Sequence, residues 1–249
     1  MTQLPILVPA GFRIIAHRGA SAYAPENTMA AFTLARKMGA REVELDVQFS
    51  KDRHLVICHD RTLDRYGYPG LKVAELTKDE LLSLDMGAWF SPYLYGGERM
   101  LTLEALLTHF QNQFTYHVEI KDPAPGIEEA LLERIVHNGL KDRVIVSSKH
   151  YESLATLKSL APNVRIGWLV KEPGWSEVHI EQAAAIECFQ VCPRAAETKK
   201  ELVALAHTRV SEVRAYGILD IADAIQAIET GCDGLTINWP DWLIHDDTP

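Results

Sequence analysis

The 249-residue sequence has little cysteine and no long hydrophobic run. Its cysteines are Cys58, Cys188, Cys192 and Cys232, and only Cys188 and Cys192 lie close together in the sequence. Because a second such pair is missing, we do not expect a zinc site and instead expect free thiols in a reducing compartment. The sequence has no run of ~18 apolar residues that would predict a membrane span, and the first 13 residues do not resemble a secretion signal. We therefore expect a cytoplasmic protein with no stable membrane insertion.

The chain also has no excess of positive charge. It carries 25 Lys and Arg against 34 Asp and Glu, a formal net charge of −9. No stripe of basic residues offsets this negative charge, so we do not expect the protein to bind nucleic acid. The content of 47% hydrophobic and 24% charged residues is typical of a globular protein and excludes disorder. We expect a small-molecule substrate, and the sequence leaves a homodimer open.

Short apolar runs alternate with amphipathic helical patterns along the whole chain. The runs that predict strands are 13–16 (ending at His17), 42–48, 54–58, 116–121, 143–147, 164–170, 187–192, 212–218 and 233–238. The patterns that predict helices are 28–38, 77–85, 102–112, 127–137, 151–160, 176–185, 198–207 and 220–230. Repeated strand–helix units of this kind indicate parallel strands with crossover helices.

The number of units decides between architectures. The run 54–58 follows 42–48 after a turn that is too short for a parallel crossover, so we predict an antiparallel hairpin there. Eight strands with eight helical partners remain, which predicts an α/β fold of the (β/α)8 TIM barrel type. A doubly wound open sheet is the alternative, but no glycine-rich nucleotide motif follows the first strand.

One segment interrupts the alternation. Residues 59–101 are rich in turn-forming residues and contain a single helical pattern at 77–85. We interpret this stretch as an insertion after the second strand, on the C-terminal face of the barrel. The prediction is therefore one domain over residues 1–249.

Three carboxylates occupy the strand ends where a barrel carries its active site. Glu44 and Asp46 are two residues apart on the second strand and share a face, and Glu119 lies on the third strand. Helices cover the outside of a barrel, so these side chains point inward. Converging carboxylates repel one another, and a hard divalent cation relieves that repulsion. An ion pair between Glu119 and Lys121 is the simpler structural alternative.

Cationic and titratable side chains accompany the carboxylates. Arg18 follows the first strand and Lys121 ends the third, and both supply positive charge suited to a phosphate. His17 and His59 are candidates for proton transfer near neutral pH. Because no P-loop for a nucleotide triphosphate is present, hydrolysis of a phosphodiester is the simplest reaction for this set.

Three segments resemble the signature of the glycerophosphodiester phosphodiesterase family: HRGASAYAPENTMAAF (17–32), ELDVQFSKDRHLVICHD (44–60) and EIK (119–121). The first two are long and specific, whereas the third alone is weak. The resemblance extends over essentially the whole chain. It implies a barrel with an insertion after strand two, and metal-dependent cleavage of glycerophosphodiesters to sn-glycerol 3-phosphate and an alcohol. The implied cofactor is one divalent cation, Mg²⁺ or Ca²⁺.

The resemblance also implies roles for individual residues. His17 and His59 become the general acid/base pair; Glu44, Asp46 and Glu119 the metal ligands; and Arg18 and Lys121 the phosphate contacts. The family mechanism implies attack of the glycerol 2-hydroxyl on phosphorus and opening of a cyclic phosphate by water. Trp89, Phe90 and Trp239 are candidates for lining the substrate site. An alternative is a related phosphodiesterase acting on lysophospholipids or another glycerol-like diester, for which the apolar stretch 86–95 is a weak indication.

Overall fold

The computed structural model describes residues 4–171 and 174–245. The strands in this part of the chain are β1 (Ile6–Val8), β2 (Arg13–His17), β3 (Glu42–Phe49), β4 (Leu55–Ile57), β5 (Leu101–Thr102), β6 (Thr115–Ile120), β7 (Val144–Ser148), β8 (Arg165–Leu169), β9 (Gln190–Cys192), β10 (Glu212–Ala215), β11 (Gly234–Ile237) and β12 (Leu243–His245). Eight of them form a closed parallel barrel in the order β2, β3, β6, β7, β8, β9, β10, β11, and β11 pairs with β2. The predicted TIM barrel is confirmed.

Helices cover the outside of the barrel, and two further helices lie in the segment between β4 and β5. In chain order they are α1 (Met29–Lys37), α2 (Lys78–Ser83), α3 (Pro92–Tyr95), α4 (Leu103–Phe110), α5 (Ile127–His137), α6 (Tyr151–Leu160), α7 (Glu177–Ala185), α8 (Lys200–Ala206) and α9 (Ile221–Glu229), and α2 and α3 are the two in that segment. α1 begins where the Thr28 side chain accepts a hydrogen bond from the backbone of Ala31, and its buried face contains Phe32 and Ala35. In the described part of the chain, no helix has both the length and the apolar character needed to cross a membrane.

The alternation of β3 shows how the sequence builds both faces of the barrel wall. Val43, Leu45 and Val47 are fully buried in the main hydrophobic core. Glu44 and Asp46 have the opposite parity and point into the barrel. The parallel register places Asp46 beside Glu119 of β6, so two of the three carboxylates are direct neighbours across strands.

The segment after β3 has a small core of its own. β4 pairs antiparallel with β3, as predicted for the hairpin, and β5 pairs antiparallel with β4. Leu63, Tyr66 and Leu81 belong to a hydrophobic cluster separate from the barrel core. Because Leu81 lies on α2, the predicted helix at 77–85 packs within this segment rather than against the barrel.

The prediction of eight helical partners for the barrel strands was therefore wrong by one, because the helix at 77–85 belongs to the inserted segment. Within the described residues, α1 and α5–α9 directly follow barrel strands and α4 follows the inserted segment after β3, whereas β11 is followed by a single 3-10 turn, Pro240–Trp242. A short parallel pair, β1 with β12, lies outside the barrel sheet. Strands of three residues are too short to produce a recognisable hydrophobic period, which explains why the sequence did not indicate this pair.

Candidate active site

A cavity of about 220 Å³ opens at the carboxyl ends of the barrel strands. Its lining includes these residues predicted from the sequence: His17, Arg18, Glu44, His59, Glu119 and Lys121. Asp46 lies within 4.8 Å of Glu44 and Glu119 through its carboxylate, although it is fully buried. The structure thus brings together all seven residues that the motifs indicated, from three barrel strands and the hairpin.

The three carboxylates form a compact buried group. One oxygen from each of Glu44, Asp46 and Glu119 lies within 4.8 Å of the others. Burial raises the pKa of Glu44 and of Glu119, and the neighbouring negative charge of Asp46 raises both further. Glu44 Oε2 and Asp46 Oδ1 are buried and accept no hydrogen bond from the described residues. Unsatisfied carboxylate oxygens that converge in this way fit a hard divalent cation.

Arg18 and Lys121 balance part of this negative charge. Arg18 Nε lies 3.0 Å from Asp46 Oδ2, and Lys121 Nζ lies 3.0 Å from Glu119 Oε1 and 3.6 Å from Asp46 Oδ1. Burial alone would raise the pKa of Asp46, but these two cations hold it well below its usual range. The ion pair between Glu119 and Lys121 is therefore present, and both residues also line the cavity.

His17 is oriented by a residue from the other end of the chain. Its Nδ1 donates a hydrogen bond to Asn238 Oδ1 over 2.6 Å, and its Nε2 lies 3.7 Å from Glu44 Oε2. Burial lowers the pKa of His17 to about 3, and the charge of Arg18 contributes to this shift. The imidazole is consequently neutral near pH 7 and can accept a proton. The sequence did not single out Asn238, which follows β11.

His59 is held by a chain of charged groups. Its Nδ1 donates to Asp60 Oδ1 over 2.6 Å, and Asp60 Oδ2 lies 3.1 Å from Arg65 Nε. Arg65 Nη1 also lies 3.1 Å from Glu26 Oε2, and Arg18 Nη1 lies 2.8 Å from the same oxygen. We call the five residues His59, Asp60, Arg65, Glu26 and Arg18 the Glu26 network. Arg65, in the segment after β4, was not found from the sequence because its second partner, Glu26, is 39 positions away along the chain.

The predicted aromatic residues take other positions. Trp89 packs edge-on against Tyr66 and Phe90, and Trp239 stacks on Trp242 with ring centroids 4.4 Å apart. Among the described residues that line the cavity, neither Trp89, Phe90 nor Trp239 is present. Contact of these rings with a substrate stays a prediction.

The far side of the cavity is formed by residues that the sequence did not indicate. They are Lys149, Leu169, Arg194, Arg214, Tyr216, Gly217, Ile218, Leu219 and Thr236. Lys149 and Arg194 follow β7 and β9, and Arg214 belongs to β10. The alternation of side-chain direction along β10 could have indicated Arg214. Its neighbours Val213 and Ala215 pack in the hydrophobic core, so Arg214 faces the inside of the barrel.

Comparison with known proteins gives a consistent result. The family model described as the glycerophosphoryl diester phosphodiesterase family matches residues 17–242. A glycerophosphodiester phosphodiesterase of Caldanaerobacter subterraneus is 35% identical, with 93% of this chain and 96% of that protein covered. One from Bacillus subtilis is 31% identical, with 96% and 87% covered. A phosphodiesterase structure from Oleispira antarctica, in complex with the product sn-glycerol 3-phosphate, is 28% identical with a TM-score of 0.83, covering 92% of this chain and 94% of that one.

Proposed function

The chain belongs to the glycerophosphoryl diester phosphodiesterase family and hydrolyses glycerophosphodiesters, and we propose that His17 and His59 perform the proton transfers of this reaction. The observation that carries the proposal is the position of both imidazoles at one cavity, beside a compact group of three carboxylates. The products are sn-glycerol 3-phosphate and an alcohol, in agreement with the product bound to the Oleispira relative.

The carboxylates hold one divalent cation in this proposal. Glu44, Asp46 and Glu119 offer oxygen donors of the kind that Mg²⁺ and Ca²⁺ prefer. When bound, the cation polarises the phosphoryl oxygen and lowers the pKa of the attacking hydroxyl. Burial is the main cause of the raised pKa values of Glu44 and Glu119, and the negative charge of Asp46 raises them further, so a bound cation would favour the ionised form of both carboxyls.

Arg18 and Lys121 bind the phosphate. Both line the cavity, and each is fixed in place by a carboxylate, Asp46 for Arg18 and Glu119 for Lys121. A guanidinium and an ammonium that are already oriented lose little conformational freedom when the substrate arrives. They also stabilise the charge that develops on the phosphoryl oxygens.

The imidazoles divide the proton transfers between them. One removes the proton from the glycerol 2-hydroxyl as this oxygen attacks phosphorus, and the other protonates the oxygen of the leaving alcohol. The cyclic phosphate is then opened by water with the two roles reversed. Each Nδ1 is engaged, by Asn238 for His17 and by Asp60 for His59, so each Nε2 is the nitrogen that exchanges the proton.

We propose that residues 1–249 act as a single domain. The segment 59–101 supplies Arg65 and Tyr66, which both bond to Glu26 beside the cavity. The segment is therefore part of the structure that supports the site.

The test is release of sn-glycerol 3-phosphate from glycerophosphocholine, glycerophosphoethanolamine and glycerophosphoglycerol, with Mg²⁺, with Ca²⁺ and with EDTA. We expect turnover that EDTA abolishes and that one of the two cations restores. Turnover that persists in EDTA would contradict the metal assignment. If none of the three compounds is cleaved but lysophospholipids are, the assigned substrate class changes and the assigned site residues stay the same.

A further inference from the structure

Gln48 is a buried polar residue on β3 to which the proposed reaction gives no role. It has the same parity as Glu44 and Asp46, so the three side chains lie on one face of the strand. The residue is only 2% exposed. A buried amide is unfavourable unless its polar atoms have hydrogen-bond partners, so the partners of Gln48 indicate what it does.

The amide of Gln48 binds the chain on both sides of His59. Its Nε2 donates one hydrogen bond to the carbonyl oxygen of Cys58 and another to the carbonyl oxygen of Asp60, each over 2.9 Å. Both N–H groups of one amide are thus used on two carbonyls that flank the same histidine. The reverse orientation would bring Oε1 against two carbonyl oxygens that repel it, so the partners determine the direction of the amide.

The turn that carries His59 has no regular structure of its own. β4 ends at Ile57, and residues 58–61 belong to neither a helix nor a strand. The hairpin makes a further backbone bond from Cys58 N to Asp46 O over 3.0 Å, and Cys58 Sγ, a weak donor, lies 3.5 Å from Asp60 O. Gln48 therefore extends the attachment of this turn to β3 beyond that backbone bond.

The position of the backbone matters because His59 and Asp60 form a pair. Asp60 Oδ1 accepts from His59 Nδ1, and Arg65 holds the Asp60 carboxylate. Those contacts orient the ring, but they do not set its distance from the carboxylate group on β3. The Gln48 amide does so, because it joins the same two residues to that strand. A displacement of about 1 Å at such a site can cost about 10²-fold in rate.

We propose that Gln48 is a positioning residue for His59, which it holds at a fixed distance from the carboxylates of β3 by binding the carbonyls before and after it. This inference rests on the proposed function, because the proton transfer assigned to His59 is the step that the amide serves. Gln48 is not among the described residues that line the cavity, so it acts through His59 rather than on the substrate.

Gln48→Met provides the first test, because it removes both donors and keeps an unbranched side chain of similar length. With glycerophosphocholine, we expect kcat to fall by about tenfold or more and KM to change little, because the substrate contacts stay in place. In a His59→Ala background, the same substitution should change kcat by less than about twofold, because the group through which Gln48 acts is gone. Gln226→Met, which removes an amide donor to the Thr198 carbonyl, is the matched control and should leave kcat unchanged.

Proton exchange gives a second readout that does not depend on turnover. In the NMR spectrum of the isotope-labelled, Mg²⁺-loaded protein, the Nδ1–H signal of His59 is the imidazole signal that His59→Ala lacks. Gln48→Met should increase the exchange rate of this proton with water by about tenfold, because the hydrogen bond with Asp60 opens more often. The Nδ1–H of His17, which Asn238 holds, should keep its exchange rate.

Three results would overturn the inference. Unchanged kcat and unchanged exchange in Gln48→Met mean that the amide does not position His59. An equal loss of kcat in the wild-type and His59→Ala backgrounds means that Gln48 acts on another group. Faster exchange at both His17 and His59 means that the substitution loosens the fold in general. If Gln48→Met does not fold, Gln48→Asn, whose side chain is one methylene shorter and cannot bind both carbonyls, provides the same comparison.

The two readouts separate this inference from the proposed function. A wild-type kcat in His59→Ala would refute proton transfer by His59, and faster exchange of its Nδ1–H in Gln48→Met would still support the positioning of the ring. A loss of kcat in His59→Ala, with neither readout changed in Gln48→Met, would leave the proposed function in place and overturn the inference.

Discussion

His59 Nδ1 donates to Asp60 Oδ1 over 2.6 Å, and this hydrogen bond fixes which nitrogen of the imidazole can exchange a proton. Asp60 is fixed in turn by Arg65 Nε at 3.1 Å. The orientation of one catalytic imidazole thus depends on a neighbour in sequence and on an arginine from the segment after β4. The same arrangement recurs on the other side of the cavity, where Asn238 orients His17.

Removal of either imidazole should abolish most activity. We expect His17→Ala and His59→Ala each to lower kcat by at least about 10²-fold, the usual effect of losing a general acid or base. Single-turnover rates on glycerophosphocholine measure the effect. His137→Ala, at an exposed histidine on α5, is the matched control. A variant with a wild-type rate would remove that histidine from the mechanism.

The carboxylate of Asp60 should contribute to the pH dependence of activity. Burial lowers the pKa of His59, and the charge of Asp46 and, to a smaller extent, the hydrogen bond with Asp60 oppose this shift. Asp60→Asn removes the opposing negative charge, so the pKa of His59 falls further. In a plot of kcat/KM against pH, the limb that reflects the titration of His59 should therefore move to lower pH. Asp52→Asn, beside the exposed His54, is the control, and an unmoved limb in Asp60→Asn would show that the carboxylate does not act on His59.

Arg65 should act as a positioning residue. It joins Asp60 to Glu26 and therefore supports His59 and Arg18 together. We expect Arg65→Ala to lower kcat/KM by about tenfold, as is common for residues one shell from the chemistry. Arg65→Lys should recover part of this loss.

Arg61→Ala provides the comparison for Arg65. Arg61 pairs with Asp122 at the surface at 2.7 Å, with its own side chain 64% exposed. Its loss should leave kcat/KM unchanged. Equal effects of Arg61→Ala and Arg65→Ala would show that the Glu26 network has no specific role in positioning.

Neutralising one carboxylate should weaken metal binding more than the fold. Glu119→Gln removes a donor from the group of three and also relieves repulsion with Asp46. We expect a weaker dissociation constant for Mg²⁺ or Ca²⁺ by calorimetry, with the melting temperature of the metal-free protein maintained. Glu128→Gln, at a buried carboxylate outside this group, is the control. A Glu119→Gln variant that fails to fold would instead favour a structural ion pair with Lys121.

Gly19 should not tolerate a side chain. Its φ is +84°, and an added Cβ would lie 2.5 Å from the backbone carbon of Ala31 in α1. Gly39 has a similar φ of +88° but no atom within 4 Å of such a Cβ. Gly39→Ala therefore measures the backbone strain alone, about 1 kcal/mol. Gly19→Ala should lower the free energy of unfolding in urea by at least about 2 kcal/mol more, and equal values would contradict the steric argument.

The barrel was predictable because its evidence is local. In β3, apolar and acidic residues alternate. Because helices cover the outside of the barrel wall, the apolar residues must face the helices and the acidic residues must face the inside of the barrel. The helix predicted at 77–85 is present as α2, but its amphipathic pattern does not show which surface it packs against, and counting it among the barrel helices makes the predicted number of eight one too many. Leu81 packs in the segment after β4, and this partner follows from tertiary structure alone.

The seven motif residues could be named from the sequence, but their supporting residues could not. Asn238 is 221 positions from His17 and reaches it only because β11 closes the barrel against β2. Arg65 shares part of this difficulty, because it is an ordinary basic residue in its local sequence and its partner Glu26 is 39 positions away.

Glu26 receives bonds from both Arg18 and the pair Arg65 and Tyr66, and this has a consequence for recombining relatives of the family. A chimera that exchanges only residues 59–101 would graft a foreign loop onto a carboxylate selected for the original one. Crossover points that carry 17–32 and 59–101 from the same parent keep the acceptor and its donors together. Libraries built on this linkage should contain more active members than those that treat the loop as an independent module.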